Sequence, residues 1–282
     1  MDLKNRTLDC AGRKLKLDRP RIMGVLNLTP DSFSDGGQWL AVADAIRRGL
    51  EMQDQGADII DVGGESSRPG AASVSIQQEL DRVLPVIEAL SSRLDVPVSI
   101  DTSKPAVMRQ AVAAGAGMIN DVFALRLEGA LAMAASLCVP VCLMHMQGEP
   151  RVMQNKPVYT DVVAEVKQFL LERASKCEKS GIGKQNIVLD PGFGFGKTLQ
   201  NNIDLFKALT ELVKLNYPLL VGVSRKAMIG KITGKDMAGR VPGSVTAAAM
   251  AALSGAAILR VHDIAETCDA LKVVTALQAV EG

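Results

Sequence analysis

The sequence predicts a single (β/α)8 barrel with a short N-terminal hairpin in front of its first strand, in one domain covering residues 1–282. Three observations carry that expectation. Short β-branched runs alternate with longer amphipathic segments along the whole chain. The strand segments are too apolar to leave one face in water, which calls for a parallel sheet covered by helices. Eight such units in a chain of 282 residues close most simply into a barrel. An open, doubly wound sheet is the competing arrangement for the same alternation.

Ahead of the first strand, "LDCAGRKLKLD" (8–18) reads as a small hairpin able to plug the bottom of the barrel. The strands follow as "RIMGVLN" (21–27), "DIIDVG" (58–63), "PVSID" (97–101), "GMIND" (117–121), "PVCLMH" (140–145), "NIVLD" (186–190), "LLVGVS" (219–224) and "AILRVH" (257–262). Between the first two strands, residues 42–57 have a helical pattern. Residues 75–94 form a second, whose apolar Leu80, Val83, Leu84, Ile87 and Leu90 recur every three or four positions and make one buried face. Gly56, Gly115, Gly181 and Gly255 each close a helical segment just before the next strand, the position of a left-handed C-cap. Nothing along the chain reads as a linker, a low-complexity segment or a second domain.

Composition narrows the class of function. Apolar residues make up 48% and charged residues 22%, with only 3% aromatic, so the core is aliphatic. A formal net charge of +1 gives no bulk attraction to nucleic acid or to a membrane surface. The five cysteines are scattered without metal-ligand spacing, as expected of reduced thiols in the cytoplasm. Two histidines exclude a multi-histidine metal site. The polar start "MDLKNRTLDC" lacks the apolar core of a signal peptide, and the Ala-rich stretch 245–261 is too short and too interrupted to span a bilayer.

Polar residues gather at one end of the strands. Asn27, Asp61, Asp101, Asn120 with Asp121, His145, Asp190, Ser224 with Arg225 and Lys226, and Arg260 with His262 all stand at or near strand C-termini. A capping preference for Asp explains some of these singly, but not eight ends whose opposite ends are plain. In a (β/α)8 barrel the C-terminal rim is where active sites are built. Asp101, Asn120 and Asp190 with Lys226 can read a planar heterocycle rich in N–H groups. Arg68, Arg260 and His262 suit phosphate oxygens. The combination points to a ligand with a donor-rich ring and an anionic tail. The glycine-rich "PGFGFGKT" (191–198) fails as a phosphate cradle because Pro191 replaces the first glycine. It reads instead as a loop carrying Phe193 and Phe195 over the rim.

With these residues in place, "MGVLNLTPDSFSDGG" and "DIIDVGGESSRPGA" are seen to resemble the two signature segments of the dihydropteroate synthase family. The resemblance continues in order through "SIDTSKP", "INDV", "CLMHMQG", "LDPGFGFGK", "VGVSRKAMIG" and "LRVHD", from about residue 20 to 275. It implies a folate-biosynthetic enzyme that joins 6-hydroxymethyl-7,8-dihydropterin pyrophosphate to 4-aminobenzoate, with Mg2+ on the diphosphate and a homodimeric assembly. It implies that Asp101, Asn120, Asp190 and Lys226 line the pterin pocket with Met144 as an apolar wall. Asn27 would approach the Mg2+, Ser67, Arg68, Arg260 and His262 would surround the pyrophosphate, and Val261 would be a further substrate-binding residue. The 64–74 loop, Ser224, Lys226 and the Phe193/Phe195 region would hold the aminobenzoate, and Asp101, Lys226 and Arg68 would carry the chemistry. Segments 28–38 and 64–74 match two lid loops of the family, which accounts for a strand ending in Asn27 and running into Thr-Pro-Asp-Ser-Phe-Ser-Asp-Gly-Gly. One departure stands out: Ser67 occupies a position that is usually Thr. A pterin-dependent methyltransferase and a non-catalytic pterin-binding paralogue are the rival readings.

Overall fold

The computed structural model describes residues 6–28, 37–66, 73–148 and 157–278. Its strands are β1 (Thr7–Cys10), β2 (Arg13–Lys16), β3 (Arg21–Asn27), β4 (Ile59–Gly63), β5 (Val98–Asp101), β6 (Met118–Asp121), β7 (Val141–Met144), β8 (Ile187–Asp190), β9 (Leu220–Val221) and β10 (Ile258–Val261). The α-helices are α1 (Gly37–Asp54), α2 (Ile76–Arg93), α3 (Pro105–Ala113), α4 (Ala130–Leu137), α5 (Val162–Lys179), α6 (Leu199–Lys207), α7 (Leu209–Val213), α8 (Ala227–Thr233), α9 (Val241–Leu253) and α10 (Ile264–Gln278). β3 to β10 pair in parallel in the order β8-β7-β6-β5-β4-β3-β10-β9. A parallel bridge between Leu189 and Leu219 joins the two ends of that row, so the sheet closes as a (β/α)8 barrel.

The helices form where the sequence supplies both a face and a start signal. In α2, Leu80, Val83, Val86, Ile87 and Leu90 are buried, and Ser75 caps the N-terminus in a capping box with Gln78. The four capping glycines all lie at positive φ, between 94° and 111°.

β1 and β2 form the antiparallel hairpin, with Leu8 facing Leu15. Its Leu8, Cys10, Leu15 and Leu17 pack against Met23, Ile59, Met118, Cys142, Val188, Leu220 and Ile258, one residue from the N-terminal part of each of seven barrel strands. Each buried leucine contributes about 1.5–3 kcal/mol, so the hairpin is a floor and not an appendage. That contact also fixes which residues face inward. Side chains alternate along a strand, so two residues beyond this floor the same side carries Val25, Asp61, Asn120, Met144, Asp190, Gly222 and Arg260. Apolar below and polar above, the barrel interior changes character over a single step of the pleat.

One strand is shorter than its sequence pattern. Residues 219–224 were expected to be extended, but β9 pairs only at Leu220 and Val221. The chain then leaves the sheet in a turn in which Val223 O accepts from Lys226 N at 3.2 Å, and Arg225 takes φ +56°. This turn places both Ser224 and Lys226 at the rim.

Candidate active site

Three strands meet at one carboxylate, and a fourth is joined through Arg260. Asp61 of β4 is fully buried, and its Oδ2 accepts from Asn120 Nδ2 of β6 at 3.0 Å and from Arg260 Nε of β10 at 2.7 Å. Arg260 extends the chain, donating through Nη2 to Asp101 Oδ2 of β5 at 2.8 Å. Paired with two carboxylates, Arg260 is held more firmly protonated than usual despite its burial. Burial raises the Asp101 carboxyl to about 7; Arg260 pulls against that shift, and Asp61, Asp121 and Glu79 add to it. The second oxygen of Asp61, Oδ1, is buried without a hydrogen-bond partner among the described residues.

Asp190 of β8 stands beside this group. Its Oδ1 accepts from Gly192 N at 2.7 Å, and burial raises its pKa while Lys226 opposes the rise. Lys226 donates to the carbonyl of Phe193 and lies 4.8 Å from the centre of the Phe195 ring. Burial brings its ammonium down to about 8, with Asp190 resisting and Arg260 assisting. Gly222 lies beside both cations: a Cβ there would be in ordinary van der Waals contact with Lys226 Nζ at 3.9 Å and Arg260 Cβ at 3.6 Å.

Met144, Met146 and Phe195 form a small apolar cluster with Val122 and Phe123, separate from the main core. It is a flat, polarisable wall beside the acidic group. Across the barrel, Ser224 Oγ accepts from His262 N at 3.2 Å and lies 3.1 Å from His262 Nδ1. Asn27 ends β3, and Gly63 lies between it and Asp101: a Cβ there would lie 3.7 Å from Asn27 Oδ1 and 3.8 Å from Asp101 Oδ2.

Asp101, Asn120, Asp190, Lys226, Arg260, Ser224, His262, Met144, Phe195 and Asn27 therefore share the C-terminal mouth of one barrel. Val261 differs from its neighbours. Its side chain is in the core behind the sheet, which leaves the main chain as its means of contact. Ser67 and Arg68 lie outside the described residues, as do most of the two expected lid loops. Phe193 does not cover the rim with Phe195. It is fully buried, 5.8 Å from the Phe206 ring, and only its carbonyl serves the site. His145 also turns away, into a buried contact with Lys197 at 2.9 Å.

Sequence reasoning noted Asp61 at a strand end but did not place it among the binding residues. Its parity with Ile59 on the inward face was the available signal. Lys197 had no such signal, being one lysine after a glycine-rich loop.

The family model for pterin binding enzymes matches residues 23–262. The dihydropteroate synthase of Escherichia coli K12 is 51% identical over 94% of each chain. Among solved structures, that of Xanthomonas albilineans dihydropteroate synthase with 4-aminobenzoic acid superposes with a TM-score of 0.93 at 54% identity, covering 98% of this chain and 99% of that one. The same enzyme in complex with 7,8-dihydropteroate gives a TM-score of 0.89 at 52% identity, over 97% of this chain and 99% of that one. The chain belongs to the pterin-binding enzymes and, within them, to the dihydropteroate synthase family of transferases.

Proposed function

We propose that this rim condenses 6-hydroxymethyl-7,8-dihydropterin pyrophosphate with 4-aminobenzoate, releasing 7,8-dihydropteroate and pyrophosphate. The observation that carries the reading is the convergence of Asp101, Asn120, Asp190 and Lys226 beside Arg260 in one barrel mouth. Asp190 and Asn120 accept from and donate to the pterin edge, and Lys226 donates to a ring acceptor. The Met144 and Met146 wall lies against the ring face. Arg260 and His262, with Arg68, meet the diphosphate.

In the reaction the bond between the pterin methylene carbon and the diphosphate oxygen breaks, and its electron pair leaves with pyrophosphate. The electron-rich ring spreads the positive charge left on the methylene. Asp101, fixed and desolvated, stabilises that charge electrostatically, and Arg260 stabilises the charge growing on the leaving group. The amine of 4-aminobenzoate then forms the C–N bond and loses one proton. No enzyme-bound covalent intermediate is required.

The donor set also bears on the metal. Asn27 offers one neutral oxygen at the mouth, and among the described residues no group of three or more His, Cys, Asp or Glu could hold an ion by itself. Mg2+ commonly binds through few protein oxygens and substrate phosphates, keeping several waters. Asn27 therefore fits an ion shared with the diphosphate, where Mg2+ would supply charge neutralisation for the leaving group.

The assembly proposed is a homodimer. Met250 and Leu253 of α9 and Val273 and Leu277 of α10 are large apolar side chains left exposed on two helices that pack together. Light scattering at twice the mass of one chain is the expected result. No described helix is long and apolar enough to cross a membrane; the location proposed, from the family's place in folate synthesis, is the cytoplasm.

The test of the reaction is an assay of dihydropteroate and pyrophosphate together, from both substrates and Mg2+. The two should appear in equal amounts and stop on chelation. Pterin binding without product would overturn the synthase reading in favour of a non-catalytic pterin-binding protein.

A further inference from the structure

A second buried lysine stands behind the site and takes no part in the reaction proposed above. Lys197 is only 3% exposed. Its Nζ lies 2.8 Å from Gly192 O, 2.9 Å from His145 Nδ1 and 3.1 Å from Phe195 O, one acceptor for each of its three N–H groups, with His145 O further off at 3.5 Å. Carbonyl oxygens and one imidazole nitrogen thus surround an ammonium as they would a bound cation. Burial brings this ammonium down to about 7, and Asp190 resists that shift. His145, pushed down to about 2 by its burial and by Lys197, stays neutral and accepts at Nδ1.

The loop wrapped around Lys197 is the one that serves the pterin pocket. Gly192, Gly194 and Gly196 all have positive φ, at 70°, 81° and 60°. A Cβ at Gly192 would lie 1.8 Å from His145 O, so this backbone can pass only as glycine. Along the loop the carbonyls divide between two lysines. Those of Gly192 and Phe195 turn to Lys197, and that of Phe193, between them, turns to Lys226. The same loop carries the Phe195 ring against which Lys226 sits.

We propose that Lys197 is a positioning residue for pterin recognition: by gathering the Gly192 and Phe195 carbonyls it aims the Phe193 carbonyl between them at Lys226, and so fixes the pterin-binding ammonium. This rests on the assignment of Lys226 to the pterin substrate. It differs from a purely structural role in a specific way, since loss of Lys197 must act through Lys226 and must weaken one substrate more than the other.

The experiment uses Lys197→Ala in the full chain, with Lys197→Met beside it to keep most of the buried stem should the alanine variant unfold. Calorimetric titration with dihydropterin pyrophosphate and Mg2+ reads binding independently of turnover, and synthase activity of the parent chain separately tests the reaction. The variants should bind the pterin substrate about 10–100-fold more weakly, the scale on which small misplacements act, with a much smaller rise in KM for 4-aminobenzoate. Methylammonium or ethylammonium should restore a large part of the loss in Lys197→Ala. Tetramethylammonium, which has no N–H to donate, should not. Adding Lys197→Ala to Lys226→Met should cost no further pterin affinity. Equal losses for both substrates that track the melting temperature, or additive losses in the double variant, would overturn the proposal.

Discussion

Asp61 Oδ2 accepts at once from Asn120 Nδ2, at 3.0 Å, and from Arg260 Nε, at 2.7 Å. One oxygen therefore ties Asn120, proposed above to read the pterin ring, to Arg260, proposed to meet the diphosphate. Asp61→Asn keeps the shape but removes the charge, and turns one of its two heteroatoms into a donor that cannot accept from Arg260. Both substrate-binding groups should shift together. Activity is expected to fall about 100-fold, a scale set by the sensitivity of catalysis to orientation, with loss of pterin and pyrophosphate affinity in parallel. Steady-state kinetics with product inhibition by pyrophosphate would check this. An affinity loss confined to one ligand would show that the shared oxygen does not link the two groups.

Asp101 differs from Asp61 in touching the open mouth as well as Arg260. Asp101→Asn removes the negative charge that meets the developing cation while conserving volume. Turnover should drop by at least about 100-fold, as when one preorganised electrostatic partner is lost. The KM for 4-aminobenzoate should change little. The variant should fold, since one carboxylate, Asp61, remains on Arg260. Near-normal kcat in a folded variant would remove Asp101 from the chemistry.

The two shifted groups set a pH window with opposite signs for rate and stability. Asp101, raised to about 7 by burial, must be ionised to act, so kcat/KM should rise as pH climbs through about 7. Lys226, lowered to about 8 by burial, must be protonated, so kcat/KM should fall above about 8. Stability responds otherwise. Between about 4, the unfolded value of an aspartate, and about 7, the fold holds a proton on Asp101 that the unfolded chain has released, so this group's contribution is lost as pH rises. Above about 8 and up to about 10.4 the unfolded chain holds the lysine proton more tightly, so the Lys226 contribution increases with pH. Lys226→Arg should abolish the basic limb of the rate profile while leaving the acidic one. A basic limb unchanged in that variant would assign it to another group.

The strand ends were legible because they combine two local signals, an apolar β-branched run and a polar residue closing it; Asp101, Asn120 and Asp190 are all of this kind. The hairpin floor was legible from its length and position. Phe193 was misplaced because a glycine-rich loop carries no periodicity, so nothing local says that Phe193 turns toward Phe206 while Phe195 joins Met144. The contact between His145 and Lys197 is set by two connections at the barrel rim that approach each other only once the sheet has closed. The short β9 was hidden for a similar reason. Its apolar run continues through Val223, and the turn that ends it depends on Ser244 of α9, whose Oγ receives Arg225 N at 2.9 Å.

A final ion-pair group ties the start of α3 to α2 and to Glu65, just after β4. Lys104, at the start of α3, donates to Glu79 of α2 and at 2.5 Å to Glu65, whose other oxygen accepts from Val74 N at 3.1 Å. Glu79 is fully buried and its Oε1 has no partner among the described residues, so Lys104 is its main compensation. Lys104→Met would leave that carboxylate buried and unpaired, and should destabilise the fold by about 3–5 kcal/mol. Glu79→Gln removes the buried charge and leaves Lys104 with Glu65, so it should cost less. Combining the two should recover part of the Lys104→Met loss, because the uncompensated charge is then gone. Urea unfolding of the three variants at neutral pH gives the comparison. Equal costs for the two single substitutions, adding in full when combined, would mean that the Lys104–Glu79 pair is not what stabilises this junction.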